Sequence, residues 1–212
     1  GQDFPPLDSR QMLILADTLY ELGEVRLAVP TYQEYLQHWP RDNAARLHLA
    51  LALQANNQAL AAREQLEQVL RDDPRFPGAS YYLGTVLFDW KRNDEAKARF
   101  EQELKLNPRC HQCMAKLAHV AYLAGEDQGC ETWLQKATAL DPAWEETNLV
   151  YGMFEIRAGQ YASAIQHLSR VIEQSPDHAQ AHFQLAIAYQ RSGNVEQARV
   201  HAEGKVGGLK VS

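Results

Sequence analysis

The residues that most suggest a chemical site are Cys110 and Cys113, in the stretch Cys-His-Gln-Cys. Two cysteines with this spacing can form a disulfide, act as a redox dithiol or supply half of a zinc site. A zinc site needs four ligands, and the chain contains one such pair. His111 and His119 are near in sequence, but helical spacing points them in different directions. Three interpretations of this stretch therefore remain. It is a turn that happens to contain two thiols, a disulfide, or a redox site.

No other group of residues has the spacing of a catalytic site. Gly-x-Ser-x-Gly, Gly-x-Gly-x-x-Gly and a phosphate-loop lysine do not occur. His178 and His182 are four residues apart, but the first lies in a turn and the second occupies a position that normally packs. The acidic pair Glu145-Glu146 lies at a predicted helix start, where carboxylates compensate the helix dipole. We therefore expect no enzyme activity, no cofactor and no metal.

Composition and charge limit the classes of partner. The 212 residues are 45% hydrophobic and 23% charged, with a formal net charge of −6. We expect no nucleic-acid partner, because no basic stripe stands out. We expect no membrane insertion, because no apolar run approaches ~20 residues. The chain begins with Gly1 rather than Met, so we expect either a removed export signal with a periplasmic or exported location, or a fragment of a longer protein.

The elements that position these residues follow from a repeat of 34 residues. Prolines recur at that spacing: Pro40, Pro74, Pro108, Pro142 and Pro176. Small residues recur in two series: Ala16, Ala50, Gly84, Ala118, Gly152, Ala186, and Ala28, Ala62, Ala96, Cys130, Ala164, Ala198. Apolar residues at i, i+3, i+4 and i+7 within each period predict two helices. The turn between them holds a residue that tolerates left-handed geometry, namely Gly23, Asn57, Gly125, Gly159 or Gly193, with Lys91 as the exception. The prolines end each second helix, and the small residues let the paired helices approach closely.

This pattern resembles the tetratricopeptide repeat family over about residues 9–204. The resemblance implies an all-α fold, a right-handed superhelical solenoid of antiparallel helix hairpins. An N-terminal tail of residues 1–8 and a C-terminal tail of residues 205–212 would flank six units: 9–42, 43–76, 77–110, 111–144, 145–178 and 179–204. In this frame Cys110 lies in the turn before a helix and Cys113 in its first turn, whereas Cys130 is expected to be a buried packing residue.

Two departures from the family pattern have structural consequences. The last unit has Ala202 where a larger residue is usual, followed by Gly204, Gly207 and Gly208, so its second helix is expected to be short. Such a unit leaves an unfinished edge, and self-association through the C-terminal repeat is expected. Glu103 replaces a small residue that faces the next unit, so its carboxylate needs a partner or a water-filled gap.

The resemblance also implies a concave groove, lined by first helices, that holds an extended peptide or a helix of a partner. Helical spacing places fifteen residues of this sequence there: Leu47, His48, Leu51, Tyr81, Tyr82, Thr85, Phe88, Lys116, His119, Tyr122, Met153, Ile156, Arg157, Phe183 and Ile187. We expect aromatic anchors near Tyr81, Phe88 and Tyr122, because aromatic side chains bury much area at low entropy cost. Lys116 and Arg157 are expected to steer an acidic segment.

Two specialised binding modes of the family are not expected. The positions of a Lys, Asn and Arg clamp for a C-terminal carboxylate hold Leu13, Asp17, His48, Gly78 and Tyr82. The positions of an inner asparagine ladder hold Ile14, His48, Tyr82, Lys116, Val150 and Gln184.

The expected function is a protein-protein interaction module or scaffold that binds a peptide segment or helix of a partner in its concave groove. Two alternatives remain. One is a redox-responsive adaptor that uses Cys110 and Cys113. The other is the interaction domain of a larger enzyme or membrane-associated protein.

Overall fold

The structure of the protein is a computed structural model, which describes residues 8–203. Within that range it consists of twelve α-helices connected by short turns. Their bounds are α1 Ser9–Glu21, α2 Val25–His38, α3 Asn43–Ala55, α4 Ala59–Asp72, α5 Ala79–Asp89, α6 Asn93–Leu106, α7 His111–Ala124, α8 Asp127–Leu140, α9 Glu145–Arg157, α10 Tyr161–Gln174, α11 Ala179–Arg191 and α12 Val195–Ala202.

The helices form six consecutive pairs, in which each odd-numbered helix packs against the helix that follows it. The predicted fold class, an all-α helical-repeat solenoid, is confirmed. The predicted unit boundaries stay a prediction, and the predicted tails fall almost entirely outside the described residues, as do Gly204, Gly207 and Gly208.

Contacts divide the chain into two compact units, residues 1–108 and 109–212. In the first unit, α3 contacts α1 and α2 on one side and α5 on the other. In the second unit, α9 contacts α7, α8, α10 and α11. Each unit has its own apolar core, which includes the fully buried Tyr32 in the first unit and Leu168 and Leu185 in the second.

The repeated prolines and turn residues fix where the helices end. Each of the five prolines lies two residues after the last residue of a second helix, as Pro40 follows His38. The turn inside a pair needs a positive φ, which Gly125 adopts at 75° and Lys91 at 62°. The backbone of Lys91 is therefore strained, whereas a glycine at this position would not be.

The small residues let the paired helices approach closely, as predicted. A Cβ atom on Gly84 would lie 2.6 Å from the Phe100 ring, and one on Gly152 would lie 2.3 Å from Leu168 Cγ. Real Cβ contacts are longer than this, so at these two positions only glycine fits without a shift of the facing side chain.

The last helix is short, in agreement with the sequence expectation. Helix α12 has eight residues, whereas the second helices of the other five pairs have 14. Self-association through this pair stays a prediction. Within residues 8–203, no helix is both long and apolar enough to cross a membrane.

Glu103 finds its partner inside its own helix pair. Its Oε1 atom accepts a hydrogen bond of 2.9 Å from the backbone N–H of Gly78, the residue that precedes α5. The carboxylate therefore caps the start of α5, which has no capping side chain of its own.

Candidate protein-binding surface

We define the first-helix face of a unit as the exposed surface of its first helices, α1, α3 and α5 in the first unit and α7, α9 and α11 in the second. All fifteen residues predicted for the groove lie on these helices. Twelve of them keep exposed surface, whereas Phe88, His119 and Met153 are buried. The three buried side chains therefore offer little surface for direct contact, in contrast to the other twelve.

The first-helix face of the first unit has a polar network at its centre. His48 Nδ1 on α3 lies 3.0 Å from Asp17 Oδ1 on α1. The buried Tyr32 donates a hydrogen bond of 2.5 Å from its hydroxyl to the same oxygen. Burial and this hydrogen bond raise the pKa of Tyr32, so the phenol stays protonated as the donor. The network ties α1, α2 and α3 together.

Apolar and aromatic side chains flank this network. The Tyr81 and Tyr82 rings pack edge to face with centroids 5.2 Å apart, and Tyr81 also contacts the buried Phe100 at 6.0 Å. Both tyrosines keep part of their surface exposed, as do Leu47 and Leu51 on α3. These four residues therefore leave apolar and aromatic surface exposed on α3 and α5.

In the second unit, two of the predicted groove residues share one carboxylate on α9. Glu146 Oε1 lies 2.6 Å from His119 Nδ1, and Glu146 Oε2 lies 3.2 Å from Lys116 Nζ. Burial alone would raise the pKa of Glu146, but the hydrogen bond to His119 and the charge of Lys116 lower it to about 2. Lys116 is thus already paired within its own unit.

Arg157 is also paired within the second unit. Its guanidinium donates to the backbone carbonyl of Tyr122 at 2.7 Å and to the carboxylate of Asp127. It also covers the Tyr122 ring, 4.2 Å from the centroid, in a cation–π contact. Neither Lys116 nor Arg157 therefore presents an isolated charge for steering an acidic segment, and Tyr122 is partly covered.

The exposed apolar surface of the second unit lies on α9 and α11. Phe183 is 62% exposed, although it is a large aromatic residue. Ile187 lies one helical turn later on the same side of α11, and Ile156 on α9 packs on the core while keeping part of its surface exposed. The exposed phenyl ring and the two half-buried isoleucines therefore leave apolar surface open on α9 and α11.

The CHQC stretch begins α7. Cys110 and Cys113 are joined by a disulfide, and Cys110 is the residue that caps the helix. Cys130 is free and fully buried, as expected for its place among the small residues, and burial raises the pKa of its thiol to about 11.

The two histidines spaced four residues apart do not face each other. His178 caps α11 by accepting a hydrogen bond of 3.1 Å from the backbone N–H of Ala181. His182 instead lies 3.0 Å from His201 on α12, Nδ1 to Nδ1, and its Nε2 contacts the Pro176 carbonyl at 2.7 Å. No group of three or more His, Cys, Asp or Glu within residues 8–203 is arranged to hold a metal ion.

A cluster of Ser163, His167 and Glu155 contains the residue types of a hydrolytic triad, but not its arrangement. Glu155 is central, with Ser163 Oγ at 2.5 Å and His167 Nδ1 at 2.9 Å. The histidine therefore does not lie between the serine and the carboxylate, and it cannot take a proton from the serine. The cluster holds α9 against α10.

A surface cleft follows α8, lined by residues that include Asp141, Trp144 and Glu145. Its carboxylates have partners within the unit. His111 Nε2 lies 3.6 Å from Asp141 Oδ2, and His178 Nε2 lies 3.4 Å from Glu145 Oε1. These contacts hold the two carboxylates against the side chains of α7 and the residue that caps α11.

The sequence interpretation did not foresee that three carboxylates pair with the predicted groove residues: Asp17, Asp127 and Glu146. The pairs have separations of 31 residues for Asp17 and His48, 30 for Asp127 and Arg157, and 27 for His119 and Glu146. These separations are three to seven residues shorter than the repeat of 34, so a search for acidic residues 27–31 positions from a basic residue or a histidine would have proposed these pairs.

Sequence models described as tetratricopeptide repeat match residues 14–62, 49–96 and 155–203, which together make up more than half of the chain. The chain belongs to the tetratricopeptide repeat family. Proteins of this family mediate protein–protein interactions and are typically scaffolds rather than enzymes.

Among curated proteins, mouse tetratricopeptide repeat protein 21A is 23% identical over 177 residues, which cover 84% of this chain. The chain spans 14% of the length of that relative.

Solved structures share the fold. One chain of the APC/C hetero-tetramer Cut9–Hcn1 matches this protein with a TM-score of 0.85 at 16% identity. The match covers 94% of this chain and 39% of that chain. Pseudomonas aeruginosa pilF has a TM-score of 0.74 at 17% identity, covering 92% and 89%. The thermophilic protein TTC0263 from Thermus thermophilus has a TM-score of 0.70 at 21% identity, covering 86% and 100%. At these identities the similarity concerns the fold alone.

Proposed function

We propose that this protein binds a peptide segment or a helix of a partner protein with the first-helix faces of its units. Membership of a family that mediates protein–protein interactions supports the general class. The observation that carries the more specific proposal is the exposed Phe183 on α11, a first helix. A side chain of this size gains most from a partner that removes it from water.

The proposed contact in the second unit is mainly apolar. Phe183, Ile187 and Ile156 supply the surface, and the core beneath them holds α9 and α11 in place. Since the surface exists before the partner arrives, little conformational entropy is lost on the side of this protein. The pairing of Lys116 and Arg157 within the unit favours an apolar segment over a strongly acidic one.

The first unit offers a second apolar contact surface. Leu47 and Leu51 on α3 and Tyr81 and Tyr82 on α5 keep exposed surface. The Asp17–His48 pair provides polar groups beside them for the backbone or side chains of a bound segment. Each unit is therefore proposed to bind with the same helices but with different side chains.

The proposal is tested by selecting peptides from a displayed random library against the wild-type protein and measuring their affinity by fluorescence anisotropy. Phe183→Ala is the test variant. Leu60→Ala is the matched control, because Leu60 is 66% exposed but lies on α4, a second helix. A buried interface aromatic is worth on the order of 1–2 kcal/mol, so Phe183→Ala should weaken binding roughly tenfold.

The affinity for Leu60→Ala should match that of the wild type. If Leu60→Ala weakens binding and Phe183→Ala does not, the peptide binds on the second helices, and the proposal is wrong. Circular dichroism of both variants establishes that each is folded before affinities are compared.

A further inference from the structure

The disulfide at the start of α7 is not used by the proposed binding function. Cys110 precedes the helix and Cys113 lies in its first turn. The Cys110 sulfur accepts a hydrogen bond of 3.1 Å from the backbone N–H of Cys113. One sulfur of the bond is thus also the cap of a 14-residue helix.

At two other first helices, the capping position that Cys110 fills at α7 holds an aspartate. Asp8 caps α1 by accepting from the Gln11 N–H at 2.8 Å, and Asp42 caps α3 by accepting from the Ala45 N–H at 3.0 Å. Each of these three caps accepts from the third residue after it. The helix start therefore suits an anion at position 110, where the backbone N–H groups and the helix dipole favour negative charge. A disulfide sulfur carries no charge and uses this site poorly, whereas a thiolate would use it well.

The two cysteines also differ slightly in burial. Both are buried, but Cys113 is 0% exposed and Cys110 is 6% exposed. We therefore expect a reductant to approach the bond from the Cys110 side. Cys113 then becomes the leaving group, inside the first turn of the helix.

We propose that Cys110 and Cys113 form a reversible redox site, in which a dithiol reductant opens the disulfide by attacking Cys110 and the reduced Cys110 remains as an anionic cap of α7. This inference is independent of the peptide-binding function.

The chemistry is thiol–disulfide exchange. A thiolate of the reductant bonds to Cys110 Sγ, the S–S bond breaks, and its electron pair leaves on Cys113 Sγ, which takes up a proton. The second thiolate of the reductant then attacks the reductant's own sulfur in the mixed disulfide, and the electron pair leaves on Cys110 Sγ. The reductant ends as a disulfide, having given two electrons to the protein. Of its two protons, one is now on Cys113 and one is in solvent.

The first test treats the folded protein with excess dithiothreitol at neutral pH, quenches with acid, and labels all thiols with a maleimide in denaturant. Mass spectrometry counts the labels. Untreated protein should carry one label, on Cys130, because the chain has three cysteines and two of them are bonded. Treated protein should carry three labels and keep its helical circular dichroism. A count of one after treatment, or three labels with loss of helix, overturns the proposal.

The second test asks whether position 110 favours an anion. In the Cys113→Ser/Cys130→Ala variant, Cys110 is the remaining thiol, and thiolate absorbance near 240 nm reports its ionised fraction without requiring access. At pH 7 the folded variant should have a several-fold higher thiolate fraction than the same variant unfolded in urea, because a helix start favours the thiolate. An equal or lower fraction in the folded variant overturns the proposal.

A third comparison does not depend on sulfur. Cys110→Asp/Cys113→Ala places at α7 the cap that α1 and α3 have, and Cys110→Asn/Cys113→Ala keeps a capping oxygen without the negative charge. The aspartate variant should melt at a higher temperature. If the two variants melt together, position 110 has no preference for an anion and the structural basis of the proposal is wrong.

Discussion

Replacement of Glu146 by Gln should destabilise the second unit by about 3 kcal/mol at neutral pH. The carboxylate pKa is lowered from 4.5 to about 2 by its contacts with His119 and Lys116, which outweigh the effect of burial. Each pKa unit corresponds to about 1.4 kcal/mol of preference for the charged form in the folded protein. Because the Glu146 side chain is only 21% exposed, solvent screens these contacts little.

The pH dependence follows from the direction of the shift. A carboxyl with a lowered folded pKa stabilises the folded state above its unfolded pKa of about 4.5, and the contribution disappears as the pH falls through about 2. The difference in unfolding free energy between wild type and Glu146→Gln should therefore fall to less than half between pH 7 and pH 3. Glu173→Gln is the control, since it makes the same charge change at an exposed position of α10.

Two measurements check this prediction. Urea unfolding of the three proteins at several pH values gives the difference in free energy. Carbon-detected NMR of the glutamate carboxyl groups gives the pKa of Glu146 directly. A pKa near 4.5, or a loss for Glu146→Gln no greater than for Glu173→Gln, would refute the argument that the His119 and Lys116 contacts outweigh burial.

Three further predictions concern packing, thiol reactivity and pH. Gly152→Ala should lower the midpoint of urea unfolding, because the new Cβ would overlap Leu168 and overpacking costs about 1–3 kcal/mol. In a Leu168→Ala background, this loss of stability should shrink or reverse. Cys130 should not react with a thiol reagent at pH 8 until the protein is unfolded, because burial raises its pKa to about 11. Burial and the nearby His182 lower the pKa of His201 below 6.5. The stability of α11 and α12 should therefore fall as the pH drops below about 6.5, which hydrogen exchange measures. His201→Gln should remove this pH dependence.

The fold could be predicted from the sequence because its determinants recur. Spacing alone identified the small residues, and two of them, Gly84 and Gly152, lie where a Cβ would overlap the facing helix. Lys91 was the exception in the turn series, because lysine gives no turn signal, yet its φ of 62° is positive like those at the other turn positions. Periodicity therefore carried information that residue type did not.

The candidate surface was less predictable, because exposure depends on contacts between helices. Helical spacing placed Phe88 and Met153 on the same face as Phe183, yet the first two are buried and the third is exposed. Lys116 and Arg157 have the right positions for steering charges, but carboxylates nearly one repeat away pair with them. Helical spacing defines the direction in which a side chain points. Whether that side chain is exposed and unpaired depends on the neighbouring helix.

The central claim, that a partner binds on the first helices, is tested most directly by site-specific photo-crosslinking. Benzoylphenylalanine is placed at Phe183 in one variant and at Leu60 in another, and each is irradiated with a peptide selected against the wild-type protein. Both positions are similarly exposed, at 62% and 66%. The account predicts a crosslinked peptide at position 183 and none at position 60. A crosslink at position 60 without one at position 183 would contradict it.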